Sequence, residues 1–120
     1  MKLLLIGAFF LTLSGCTQDV YTIEPENAKE RMERDGSIVL LDVRTPEEYS
    51  EIHIPGASLL PISDLEKEMP SEYPDKKATY FVYCRSGNRS ADAIEILSDL
   101  GYDDIHDLGG IIDWPYGTEQ

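Results

Sequence analysis

Cys84 closes the apolar run "TYFVYC", and Arg85, Ser86, Gly87, Asn88, Arg89 and Ser90 follow it at once. An ordinary cysteine is mostly protonated at neutral pH and attacks only as the thiolate, so a nucleophilic role requires surroundings that favour that form. Three features do. A helix beginning near Arg89 aims its unpaired N–H groups and positive dipole end back at the loop. Arg85 and Arg89 are permanent cations close in sequence. No carboxylate falls between Asp75 and Asp92 to oppose them. Gly87 permits the positive φ at which successive N–H groups converge on one anion. Ser86 and Asn88 are short polar residues of the kind that hold loops and cap helices. The chemistry implied is covalent catalysis by Cys84, with backbone N–H groups holding an anion-like atom.

A thiol so placed needs a strand behind it and a helix ahead. "TYFVYC" and "SIVLLDVR" are continuous apolar runs of strand length, the pattern of strands buried on both faces. "RSADAIEILSDLGY" predicts the best helix, with Ala93, Ile96, Leu97 and Leu100 on one stripe and Gly101 at the C-cap. "EPENAKERMERDG" predicts another: Pro25 suits a first turn, Ala28 and Met32 share a face, and Asp35-Gly36 supplies the stop. "TPEEYSE" allows a short helix from near Pro46. "IHIPGASLLPI" reads as a turn, a short strand over 57–60 and another turn. "DLEKEM" holds a helical turn or two ending before Pro70, and "SEYPDKKA" is loop. By β-branched and aromatic content "VYTI" is a first strand. "DIHDL" is the last strand, and "GGIIDW" a turn and a helical stub. Strands alternating with short helices predict a three-layer α/β fold: a central, mostly parallel sheet with helices on both faces. Such sheets bind ligands beyond the carboxyl ends of their strands, where Cys84 falls.

The chain has 120 residues, enough for one domain, and a net charge of −13 from 23 acidic and 10 basic side chains. That balance excludes nucleic acid as a partner, since no basic stripe exists to displace phosphate counterions. The N-terminus, "MKLLLIGAFFLTLSGC", starts with one cation and continues with an apolar run over residues 3–13. As a helix that run reaches only about 16 Å, roughly half a bilayer core, so it is no transmembrane anchor. Its plan is that of a signal peptide, and Leu13-Ser14-Gly15-Cys16 resembles the bacterial lipobox, in which cleavage precedes a cysteine that carries lipid. The expected division is therefore residues 1–15 as lipoprotein signal peptide, 16–19 as lipidated Cys16 and short tether, and 20–117 as the folded domain. Maturation removes Lys2, takes the net charge from −13 to −14, and leaves Cys84 as the free thiol. The domain is expected to be exported and membrane-anchored through Cys16, on the periplasmic side or the cell surface. An outer-membrane address fits Thr17 after Cys16, because that position lacks the aspartate of inner-membrane retention.

"LLDVRTPEEY", "HIPGA", "VYCRSGNRSA" and "LGGIIDW" occur in an order that resembles single-domain rhodanese sulfurtransferases over nearly the whole mature chain. The resemblance implies that Cys84 takes a sulfane sulfur as a persulfide, cradled by Arg85, Ser86, Gly87, Asn88, Arg89 and Ser90. It implies a small anionic donor such as thiosulfate, a thiophilic acceptor (cyanide or a thiol), and no metal or organic cofactor. It gives Asp42 and Arg44 a structural role, with Glu48 the ion-pair partner of Arg44. Two departures stand out: Ile52 replaces the family's usual glycine before the "HIPGA" histidine, predicting a turn built differently, and the segment after Trp114 is short. Phosphatases with related thiolate chemistry place five residues between cysteine and arginine, whereas Arg89 follows Cys84 after four, a smaller ring that suits one sulfur atom. Two other readings stay open: a non-catalytic binding module of the same fold, and a thiol-based phosphatase or arsenate reductase. His53 reads as a hydrogen-bonded structural residue, His106 as a surface residue, Trp114 as core, and Gly109-Gly110 as a turn that needs no ligand. Two scattered histidines offer no metal-ligand spacing.

Overall fold

A computed structural model describes residues 18–120; the expected signal peptide, residues 1–15, and the expected lipid site Cys16 lie outside the described residues. The elements run α1 (Gln18–Tyr21), α2 (Pro25–Arg34), β1 (Val39–Asp42), α3 (Pro46–Glu51), β2 (Ser58–Leu59), α4 (Ile62–Glu72), β3 (Thr79–Cys84), α5 (Asn88–Asp99), β4 (Asp104–Gly110) and a closing 3-10 turn, Ile111–Asp113. The four strands form one parallel sheet in the order β2-β1-β3-β4.

Alternation along the two central strands divides the core. Leu41, Val43, Tyr80, Val82 and Cys84 belong to one cluster with Leu65 and Met69 of α4 and Ala93, Ile94 and Leu97 of α5. Leu40, Phe81 and Tyr83 belong to the other, with Ala28 of α2 and Ile111. Period-two side chains facing helices on both sides make every residue from Tyr80 to Cys84 buried, which is why the run reads as continuously apolar. Cys84 is thereby assigned to the α5 face.

Three expectations change. "VYTI" is not a strand: Gln18–Tyr21 is a helical turn, and pairing is confined to a bridge between Thr22 and Asp107, with the Ile23 N–H donating to the Asp107 carbonyl at 3.0 Å. Val20 is 80% exposed, and of the β-branched residues in this run only Ile23 reaches the core. The helix after Pro61 runs past Pro70 to Glu72. Proline costs one hydrogen bond there, near the end of the helix, where the partner residue Glu66 is exposed to water. The Tyr102 hydroxyl then donates to the Tyr73 carbonyl at 2.6 Å and the Met69 carbonyl at 3.3 Å, a tertiary cap no local pattern predicts. Finally, Gly109 and Gly110 extend β4 instead of turning after it. The β3–β4 register shifts between Val82 and Tyr83, Gly109 takes φ +88°, and Gly110 lands opposite Cys84.

α5 ends as expected. Gly101 at φ +96° follows the last turn, the Gly101 N–H donates to the Ser98 carbonyl, and the Tyr102 N–H to that of Leu97. This is the Schellman arrangement, which satisfies carbonyls left over at a helix end.

Candidate active site

The Cys84 thiol is 1% exposed and accepts two backbone N–H groups, from Gly87 at 3.0 Å and Ser90 at 3.3 Å. Both come from the start of α5. Gly87 is its N-cap, at φ +110°, and offers no side chain to the first turn. Helix starts leave four N–H groups unpaired, and a Ser, Thr, Asp or Asn side chain at the N-cap usually accepts the one at the third position. Here that position is Ser90, and the sulfur of Cys84 takes the acceptor's place. The Ser90 hydroxyl donates back to the Gly87 carbonyl at 3.1 Å. Arg85, Ser86 and Asn88 form the exposed outer part of the loop. The loop thus closes around a single atom, the Cys84 sulfur.

Arg89 is held by an acid. Its Nη1 and Nη2 donate to Oε1 and Oε2 of Glu48 at 2.7 and 2.9 Å, a bidentate pair across 41 residues of chain. The expected Arg44–Glu48 pair is therefore corrected: Arg44 binds Asp42, and Glu48 binds Arg89. The reason is geometric. Arg44 lies ahead of the N-cap Thr45, so the four-residue spacing to Glu48 is not a helix-face neighbour relation. Arg44 instead folds back on its own strand, Nε and Nη2 donating to the Asp42 carboxylate at 2.7 to 3.1 Å with both side chains almost wholly buried. Hydrogen bonds from Arg89 hold the Glu48 carboxyl at about 2, far below the carboxylate norm, with Thr45 adding to them. The loop has no acid in sequence but has one in space, so Arg89's charge is largely cancelled at the mouth. Arg85 is the loop cation with no acidic partner among the described residues.

Further bonds tie the surrounding turns to this frame. Arg44 Nη2 also donates to the Ile52 carbonyl at 2.7 Å, and its guanidinium lies over the Tyr83 ring. The Ile54 N–H donates to the Tyr83 hydroxyl at 3.0 Å, and burial pushes that hydroxyl's ionisation well up, keeping it neutral. Ile52 sits at φ −153°, ψ 152°, extended backbone that any residue adopts, so this turn makes no demand for glycine. His53 stacks on Tyr49, its Nδ1 2.9 Å from the Tyr49 carbonyl, and its backbone pairs with Glu119, which brings the final segment back onto this turn. That is the structural role expected of it. His106 lies beside Asp104 and edge-on to Phe81, half-buried. Trp114 is half-buried against the α2-side cluster.

On the opposite flank β4 presses against the loop. A side chain at Gly110 would place its first carbon 2.4 Å from the Arg85 carbonyl oxygen and 2.7 Å from the Ser86 Cα. The Ile112 N–H donates to the same Arg85 carbonyl at 3.3 Å.

Comparison with known proteins identifies the family of this parallel α/β domain. The model of the rhodanese-like domain matches residues 24–115. The chain belongs to that family. It is 40% identical over 73 residues to the thiosulfate sulfurtransferase PspE of Escherichia coli, covering 61% of this chain and 70% of that one. A solved rhodanese with anions from E. coli aligns with 35% identity and a TM-score of 0.65, covering 69% of this chain and 98% of the other. The Alr3790 protein from Anabaena aligns at 28% identity with a TM-score of 0.74, over 81% and 90% of the two chains. In this rhodanese-like domain the sequence reading missed two contributors, Gly110 and Ile112. A glycine inside a strand pattern was the available signal, because it marks close approach of another backbone.

Proposed function

We propose that the chain passes sulfane sulfur from a thiosulfate-type donor, through a persulfide on Cys84, to a thiophilic acceptor such as cyanide or a thiol. The chain is a rhodanese-like sulfurtransferase, and thiosulfate is the substrate named for its E. coli relative. The observation that carries the reading is the pair of N–H groups converging on the Cys84 sulfur.

The Cys84 thiolate attacks the outer sulfur of thiosulfate; the new S–S bond forms as the old one breaks, and sulfite leaves with the bonding pair. No proton is needed by that leaving group, which removes the demand for a general acid. The outer sulfur then sits at the mouth of the Gly87–Ser90 cradle, where fixed N–H dipoles favour its negative charge without reorganising. Cyanide attacks that sulfur, thiocyanate departs, and the thiolate returns. Within the cradle Arg85, Ser86, Gly87, Asn88, Arg89 and Ser90 shape the mouth, Arg85 supplying the attraction for an anionic donor. A thiol-based phosphatase would aim Arg89 at a phosphoryl group, whereas here Nη1 and Nη2 are both turned to Glu48.

The export reading belongs to the same proposal: residues 1–15 direct secretion, lipid on Cys16 anchors the protein, and the domain works beside a membrane. Its support is the lipobox-like "LSGC" and the lone exported thiol. Cys16→Ala is expected to move the protein from the membrane to the soluble fraction; retention on the membrane would refute the anchor.

The decisive test is intact mass of residues 18–120 after thiosulfate and desalting, beside Cys84→Ala. A gain of one sulfur atom that cyanide removes, absent from the variant, is expected. No gain with thiosulfate or any other sulfane donor, while Cys84 remains reactive to alkylation, would overturn the reading in favour of a binding module.

A further inference from the structure

Resting on the sulfurtransferase reading, we propose that Glu48 is a positioning residue for sulfur transfer, holding Arg89 and through it the first turn of α5, so that the Gly87 and Ser90 N–H groups stay aimed at the sulfur. Glu48 itself touches neither sulfur nor donor. Arg89 lies between the two residues whose N–H groups reach Cys84, so a restraint on its guanidinium restrains both. The start of α5 has no side-chain cap, and its local ties are the Ser90 hydroxyl bond and the sulfur itself. It needs an outside anchor. On one flank β4 serves, through Gly110 and Ile112. On the other flank the anchor is Glu48.

Glu48 is built to hold still. Its Oε1 accepts the Thr45 N–H at 3.1 Å and lies 3.2 Å from the Thr45 hydroxyl, while the Glu48 N–H donates to that hydroxyl at 3.2 Å. This capping box fixes the carboxylate against its own helix. The helix is fixed in turn: the Tyr49 hydroxyl donates to the Ala57 carbonyl at 2.7 Å, and the Ile52 carbonyl at its end accepts from buried Arg44. A planar guanidinium gripped at two points has little freedom left. The same pair cancels a positive charge beside the mouth, so losing the carboxylate separates two effects. The cradle loosens, which lowers kcat, while an unbalanced Arg89 draws an anionic donor, which does not raise KM.

The test compares wild type with Glu48→Gln, which keeps a capping acceptor, and with Arg89→Lys, which keeps the charge but cannot grip bidentately. Glu47→Gln, the exposed neighbour on the same helix, controls for charge alone. Thermal melts first establish that each variant folds. With thiosulfate and cyanide, kcat is expected to fall tenfold or more in Glu48→Gln and Arg89→Lys, with KM for thiosulfate unraised in Glu48→Gln and Glu47→Gln unchanged. The Cys84 persulfide, followed by intact mass, is expected to decay several-fold faster in both loosened variants. A folded Glu48→Gln with wild-type kcat and persulfide lifetime would overturn the inference, as would an equal loss in Glu47→Gln. If the wild type forms no persulfide at all, the functional reading fails before this comparison begins.

Discussion

Replacing Gly110 by alanine adds one methyl group where the cradle meets β4. Its backbone angles, φ −113° and ψ 142°, suit any residue, so the effect is steric alone. The new carbon would stand 2.4 Å from the Arg85 carbonyl oxygen, 2.7 Å from the Ser86 Cα and 3.0 Å from the Arg85 carbonyl carbon. Comfortable non-bonded contact lies near 3.5 Å, so the loop and strand must part by about 1 Å. All three obstacles are backbone atoms, with no flexible side chain to swing aside. Overpacking of this kind costs about 1–3 kcal/mol, and a domain of this size loses about 4–8 °C of Tm per kcal/mol. The functional cost is larger, because the Gly87 N–H reaches the sulfur at 3.0 Å and about 1 Å more would break that bond. We expect kcat/KM in a thiosulfate–cyanide assay to fall on the order of 100-fold. Gly109→Ala is the matched control: it sits at φ +88° with nothing within 4 Å of an added Cβ, so it bears backbone strain without collision. That variant should lose about 1 kcal/mol of stability and keep its activity within a few-fold. A Gly110→Ala protein with wild-type kcat/KM would refute the account, and so would a Gly109→Ala protein impaired as badly.

Three other outcomes follow from the charges. Arg44→Met leaves the Asp42 carboxylate buried without its partner and should cost about 3–5 kcal/mol in urea unfolding, with Asp42→Asn in the same chain recovering part of the loss. Glu48 is held at about 2 in the folded state, below its ordinary value, so its contribution is present above the unfolded pKa and is lost as pH falls from about 4.5 towards 2. Allowing for water at the pair, wild type should lose about 1–2 kcal/mol more than Glu48→Gln across that window, measured by unfolding at successive pH values. With Arg89 cancelled and a net charge of −13, a dianionic donor meets net repulsion, so kcat/KM for thiosulfate should rise with ionic strength; a fall would show that Arg85 governs the encounter.

The parts of this molecule that could be read in advance are those set by local periodicity. β1 and β3 announce themselves because both faces are covered, and α5 because its stripe and Gly101 agree. Gly87's positive φ follows from what the loop must do at a strand-to-helix junction. What escaped depends on contacts between distant segments. Glu48 finds Arg89 across 41 residues, and nothing local to either distinguishes that partner from the nearer Arg44. Helix α4 survives Pro70 with its terminal carbonyls met by Tyr102, 29 residues beyond Tyr73. Gly110 looked like a turn residue because its reason is a neighbouring backbone, not its own conformation. The export signal and Cys16 were read from pattern alone and lie outside the described residues.

The sulfur of Cys84 also stands in for the missing cap of α5, and that ties the chemical state of one atom to the melting of a whole helix. A negatively charged acceptor makes the stronger hydrogen bond. Loading, reducing or alkylating Cys84 therefore changes how firmly the helix begins, and each form of the enzyme should melt at its own temperature. Linkage runs both ways: whatever steadies the helix start must also favour the sulfur species that caps it best. A simple thermal scan then becomes a label-free gauge of how much sulfur the protein is carrying.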